Sequence, residues 1–250
     1  MAETENVDFQ WSLLYKIAGS AALLTVLMIP VQLGVFVASP PPGFDPSPHV
    51  VEGYFALFQK SKLIALLDLD LLLVVDQLLG VPIALALYVA LRKTNQSAML
   101  IATVLGLVCS AAYCAFNGSF AMLALSNQYT LAATDAEKSA LVTAGTAVLA
   151  NHLGTGFHFN YIVGSLTIII VGAVMLRSPV FSKLTAYAGI GAGVVGLGLY
   201  VPRIGILLSI LSVPLYALWN TLISRRFFRL AQPTSAPTTE GIGNRDDRRF

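Results

Sequence analysis

Three carboxylates, Asp68, Asp70 and Asp76, lie within the apolar stretch LLDLDLLLVVDQLLG, Leu66 to Gly80. An ionised carboxylate in hydrocarbon costs about 2.5–3.5 kcal/mol on insertion scales, so such a group faces a bundle interior, takes a partner or holds a proton. Counted from Leu63 along a continuous helix, Asp68 lies about 8 Å in, Asp70 about 11 Å and Asp76 about 20 Å. At 100° per residue Asp68 and Asp76 stand about 80° apart, with Asp70 about 120° from Asp76, so the three do not share one narrow seam. Asp68 and Asp70 are near enough to the helix start for water and the positive dipole end to help them. Asp76 needs a partner from another helix.

Polar residues available to it are Gln32, Asn117, Ser119, His158, Asn160 and Tyr161, with Arg203 at the last outer turn. Together they predict a polar pocket opening outward with Asp76 at its floor. The candidate ligand- or proton-binding residues are Asp76, Asp70, Asp68, Asn117, His158 and Asn160. Two other roles are open: a protonated Asp76 gluing helices together, worth about 1 kcal/mol, or Asp70 or Asp76 paired with His158 as acid and base in an intramembrane enzyme. His152 and His158 are six residues apart, not the i, i+4 spacing of a helical metal pair, so no metal site is expected. No nucleophile elbow or zinc-protease motif is present, no catalytic residue is assigned and no cofactor is identified.

The elements that position these residues follow from composition. Of 250 residues 56% are hydrophobic and 11% charged, against roughly 25% charged in a soluble domain, which indicates a membrane protein. A formal charge of +2 without a clustered basic face argues against a nucleic-acid partner. Cys109 and Cys114, about 140° apart on a helix, form neither a disulfide framework nor a C-x-x-C motif.

A membrane-crossing helix needs about 20 apolar residues, and six segments meet or approach that length: Ile17–Ala38, Leu63–Leu91, Ala98–Leu125, Phe157–Leu176, Leu184–Val201 and Ile204–Ser224. The first is longer than a signal-peptide core and is expected to be a retained span. The fold class is thus all-α, a polytopic bundle of six transmembrane helices over residues 1–230 with short interfacial helices in the outer loops. Lys16, Arg92, Lys93, Arg177, Lys183, Arg225, Arg226 and Arg229 fall on one face, and Lys60, Lys62, Lys138 and Arg203 on the other. By the positive-inside rule this places both termini in the cytoplasm of a multi-pass protein of the cell membrane. Trp11, Tyr15, Tyr88 and Trp219 suit the headgroup zone near the inner ends. The tail, residues 231–250, rich in Pro, Thr, Gly and charge, is expected to be disordered and cytoplasmic. The expected partners are the bilayer and a small ligand, with a second copy of the chain as a further candidate.

The outer loops carry their own signals. After SPPPGFDPSP, the run HVVEGYFALFQKSK has apolar residues near helical spacing and predicts a short interfacial helix. Thr134-Asp135-Ala136-Glu137 has the pattern of a capping box, so a helix starts there. Continuous to Leu176, that helix would be about 63 Å long, twice the hydrocarbon thickness, and must bend, break or project. Asn151-His152-Leu153-Gly154-Thr155-Gly156 is the expected break, either a plain turn between helices or a functional interruption. Pro82 and Pro214 are expected to kink their helices. Gly189-x-x-x-Gly193 offers a flat face for close helix packing and, with no strand before it and no Lys-Ser/Thr after it, is not a phosphate loop.

The runs FALFQ…LLDLDLLLVVDQLLGVPIALALYVALRK and MLRSPVFSKLTAYAGIGAGVVGLGLYVPRIGILLSILSVPLYALWN resemble a family of small, uncharacterised six-helix bacterial and archaeal membrane proteins classed as a domain of unknown function. The resemblance extends from about Trp11 to Leu230. It implies topology and carries over no catalytic residues. Small-ligand binding or transport through the outward pocket is the leading expectation for function, ahead of a structural or partner-binding subunit and of an acid–base enzyme.

Overall fold

A computed structural model of the chain describes residues 2–232, with side chains from Gln10 onward. The expected disordered tail falls, from residue 233, outside the described residues. Every described element is helical: α1 (Ala2–Ala38), α2 (Pro48–Lys60), α3 (Lys62–Asp68), α4 (Leu71–Leu91), α5 (Gln96–Phe116), α6 (Ser119–Leu131), α7 (Asp135–Ala150), a π-helical turn (Asn151–Gly156), α8 (Phe157–Leu176), α9 (Lys183–Leu197), a 3-10 turn (Gly198–Tyr200) and α10 (Gly205–Leu230).

Local chemistry sets several of the starts. Pro48 opens α2, where a missing N–H costs nothing. The Asn95 side chain accepts from the Ala98 N–H at 3.1 Å and caps α5. At α7 the capping box is complete: Thr134 Oγ1 accepts from the Glu137 N–H, and Glu137 Oε2 accepts from the Thr134 N–H. The α4 and α10 helices continue through Pro82 and Pro214.

Five stretches are helical, long and apolar enough to cross a membrane: Gln10–Ala38, Leu71–Leu91, Gln96–Leu131, Asp135–Leu176 and Gly205–Leu230. Their outer surfaces carry exposed large apolar residues, among them Leu27, Leu33, Leu78, Ile206 and Ile210, as expected of helices whose solvent is lipid rather than water. The segment expected to be the fifth span forms α9, whose 15 residues fall short of that length, followed by the 3-10 turn.

Two expected spans are interrupted. Leu63–Leu91 is not one helix: α3 ends at Asp68, Asp70 takes a left-handed backbone with φ 61°, and α4 begins at Leu71. Short polar Asp tolerates this conformation better than most residues because its side chain can be held locally. As a result Asp76 is about 8 Å from the start of α4, rather than deep in a long helix. Ala98–Leu125 is likewise divided, at Asn117-Gly118, between α5 and α6.

The long helices close a ring. In order around it, α1, α4, α5, α8, α9 and α10 each pack on the next, and α10 returns to α1. Small residues permit the tightest approach: a Cβ at Gly193 of α9 would lie 2.7 Å from the Ser165 carbonyl of α8, while a Cβ at Gly189 would meet the Trp219 indole of α10 at the same distance. At the end where α4 finishes and α5 starts, Leu87, Leu91, Met99, Met175, Ile223 and Phe227 form the main apolar core. Ser224 of α10 donates there to the Gly19 carbonyl of α1 at 2.7 Å.

The remaining helices make a cap over the other end. The run HVVEGYFALFQK forms α2, which packs on α3, α6 and α7. Val51, Tyr54, Phe55, Phe58, Met122 and Leu149 build a second apolar core there. Ser126 of α6 receives a hydrogen bond from Gln59 Nε2 at 3.0 Å and donates to the Phe55 carbonyl at 3.1 Å, tying α6 to α2.

Candidate functional site

Three helix interruptions meet where the cap joins the ring, and side chains of Asn117 and His152 link the first to the other two. At the α3–α4 junction, Gln32 Nε2 of α1 donates to the Leu67 carbonyl and Asn117 Nδ2 donates to the Leu69 carbonyl, both at 3.2 Å. The Leu67 carbonyl also accepts from the Asp70 N–H at 3.1 Å, while the Asn117 bond gives the Leu69 carbonyl a partner beyond the end of α3. At the α5–α6 junction, Asn117 Oδ1 accepts from the Ser119 N–H at 3.1 Å and from its hydroxyl at 2.5 Å. The third interruption is the π turn at Asn151–Gly156, in the position expected for a break. Asn151 and Gly156 both keep right-handed helical backbone, so the chain does not reverse but passes from α7 into α8 through a widened turn. Such turns occur often at functional sites because they redirect side chains. A Cβ at Gly156 would lie 2.7 Å from Phe116 Cβ, and one at Gly118 would lie 2.5 Å from Val148. The two chains therefore cross closely here.

The π turn delivers His152 to Asp70. His152 Nε2 is 3.4 Å from Asp70 Oδ2, and the same oxygen accepts from the Tyr113 hydroxyl at 3.2 Å. His152 is only 2% exposed and Asp70 27%. Asp68, 4% exposed, has no hydrogen-bond partner on either carboxylate oxygen, and His152 Nδ1 also lacks one. Burial first, and the charge of Asp70 second, push the Asp68 carboxyl up to about 6.

Inside the ring lies a cavity of about 540 Å³, within the range of small-molecule sites. All six ring helices line it. Asp76 of α4 accepts from Thr25 Oγ1 of α1 at 2.6 Å, and Tyr216 of α10 lies beside the same carboxylate. One residue on, Gln77 links α5 to α8: Ser110 Oγ donates to Gln77 Oε1, and Gln77 Nε2 donates to Asn160 Oδ1, both at 3.1 Å. Cys109 Sγ donates to the same Asn160 oxygen at 3.3 Å. A polar belt thus crosses an otherwise largely apolar cavity. Asp70 and Asp76 are its two carboxylates, and among the described residues that line it there is no Lys, Arg or His. Chemically, such a belt can hold a proton on Asp76 or receive the hydrogen-bond donor or positive charge of a ligand, while the apolar walls take the rest of the molecule.

The structure brings together some of the candidate residues and separates others. Asp76, Asp70 and Asn160 line the cavity. Asp68 and Asn117 belong to the junction with the cap and are outside the cavity lining. His158 is exposed and shares a 2.9 Å hydrogen bond with Tyr200, so the histidine that meets Asp70 is His152 instead. Tyr161 pairs with Ser209 at 2.6 Å. Sequence reasoning did not place Thr25, Gln77, Tyr113 or Tyr216 in the site. A hydroxyl in an apolar first helix and an amide beside Asp76 were the available signals, but helix rotation and pairing decide whether they meet.

An all-helical chain with lipid-compatible outer surfaces and an internal polar belt is, as a class, a membrane protein with a ring-enclosed cavity. In particular, the chain belongs to the family described as "Domain of unknown function (DUF4386)", which matches residues 22–223 and so includes every residue lining the cavity. No curated protein and no solved structure matches the chain.

Proposed function

We propose that this is a multi-pass protein of the cell membrane that binds, and by alternating exposure transports, a small, largely apolar ligand bearing a positive or proton-donating group, with Asp76 as the protonatable contact. The observation that carries the reading is the cavity itself: about 540 Å³, lined by all six ring helices, with two carboxylates and no basic side chain among the described residues facing it. In this reading α9 and its 3-10 turn complete a sixth crossing between α8 and α10. Both termini lie in the cytoplasm, as the excess of Lys and Arg on that face supports. The cap formed by α2, α3, α6 and α7 covers the outer mouth.

A second reading has its own support. The Thr25–Asp76 hydrogen bond joins α1 to α4, as it would in a structural subunit whose polar groups specify packing. A thermal-shift screen of organic amines against the purified protein across pH, with Asp76→Asn alongside, separates the two. Binding predicts a ligand-induced rise in the unfolding midpoint that Asp76→Asn loses while remaining folded. A variant that binds like the wild type, or a change in intrinsic stability with no ligand response in either protein, overturns the binding reading.

A further inference from the structure

At the opposite end of the ring from the cap, a second cavity of about 400 Å³ lies between the end of α10 and the loop entering α9. Three arginines line it, Arg225, Arg226 and Arg229. Spacings of three and four residues put Arg229 on the same helix side as the other two. Among the described residues no Asp or Glu lines this cavity, and none lies within ion-pair distance of any of the three. Arg225 and Arg229 are exposed and Arg226 is half-buried. Three clustered guanidinium groups repel one another, and the buried Arg226 Nε donor lacks an acceptor, so an anion seated among them would relieve both.

Position narrows the anion. Ser12 of α1 donates to the carbonyl of Ala231, just beyond α10, at 2.8 Å, and neighbouring Trp11 lies under the Arg92 guanidinium at 5.9 Å. Trp11 and the arginines therefore occupy the same end of the bundle. Trp and Arg at helix ends mark the headgroup level of a bilayer. Apolar Val180 and Leu222 share the cavity wall with the arginines, so the site presents cationic forks beside an acyl-compatible surface. Guanidinium forks match phosphate oxygens bidentately.

We propose that this cavity is a binding site for the phosphate headgroup of an anionic membrane lipid. The inference rests on the membrane reading but not on any role of Asp76. Basic cavities between helices at the cytoplasmic side are suited to such headgroups.

The test uses the full-length protein in nonionic detergent, titrated with dihexanoyl phosphatidylglycerol, with dihexanoyl phosphatidylcholine and with inorganic phosphate while the thermal unfolding midpoint is followed. Phosphatidylglycerol should stabilise the wild type with a half-saturating concentration at least about tenfold below that of phosphatidylcholine, equivalent to about 1.4 kcal/mol. Arg226→Gln/Arg229→Gln should lose that preference, and Arg92→Gln should keep it. Should the glutamine pair fail to fold, Arg226→Lys/Arg229→Lys retains charge without the guanidinium forks and should weaken the preference. Equal response to the two lipids, or an undiminished preference in the double variants, overturns the site. Inorganic phosphate saturating at the same concentration as phosphatidylglycerol overturns the lipid assignment in favour of a free phosphate.

Discussion

His152 Nε2 stands 3.4 Å from Asp70 Oδ2, joining the π turn between α7 and α8 to the left-handed residue between α3 and α4. Two irregular backbone segments are thereby held by each other's side chains, with the Tyr113 hydroxyl on the same carboxylate oxygen. The contact bridges cap and ring, directly above a cavity that Asp70 also lines.

Removing either partner should destabilise the junction. His152→Ala or Asp70→Ala should each cost about 1–3 kcal/mol, because the partner left behind is desolvated. The double variant should cost less than the sum, with a coupling of about 0.5–3 kcal/mol in a thermodynamic cycle. Strict additivity of the unfolding free energies would show that the two side chains do not interact.

Asp68 should make stability pH-dependent. Its carboxyl titrates at about 6 when folded, above the ordinary 3.8, so the folded state holds this proton more tightly than the unfolded chain does. The stability it contributes is therefore complete below the ordinary value and is lost as pH rises through about 6. In detergent, the unfolding midpoint of the wild type should fall across that window, and Asp68→Asn should flatten the fall. Parallel curves for the two proteins would remove Asp68 as its source.

The α8–α9 contact should tolerate no side chain at Gly193. A Cβ there meets the backbone carbonyl of Ser165 at 2.7 Å and Ile169 Cγ1 at 2.6 Å, so Gly193→Ala should cost about 1–3 kcal/mol through forced separation of the helices. Gly191→Ala, whose Cβ meets only Leu215 Cδ1 at 3.6 Å, should be neutral or stabilising by up to about 1 kcal/mol, the helix propensity gained over glycine. Similar thermal unfolding of the two variants would contradict the close packing.

Features governed by neighbouring residues were legible in the linear chain. The capping box at Thr134–Glu137 and the position of the irregular turn at Asn151–Gly156, a widened turn rather than a break, depend on local hydrogen bonds and glycine's weak helix preference. The all-helical class and membrane character follow from long apolar runs that only lipid or a large core can surround. The break at Asp70 had no comparable signal, because an Asp between leucines is compatible with a continuous helix. Its left-handed backbone sits among contacts from Gln32, Tyr113, Asn117 and His152, residues on three other parts of the chain.

Those contacts also decided the site. Composition and spacing single out the three aspartates and name His158 and Asn160 as possible partners, since a helical register says which way each side chain can point from its own axis. Which helix stands opposite is a question of pairing at long range. Closing α1, α4, α5, α8, α9 and α10 into a ring puts Thr25 and Tyr216 at Asp76, sets Asn160 against Gln77, and leaves His158 at Tyr200. Hydrophobicity alone drives a segment into the membrane without choosing its neighbour. Tertiary packing makes that choice, and with it creates the cavity.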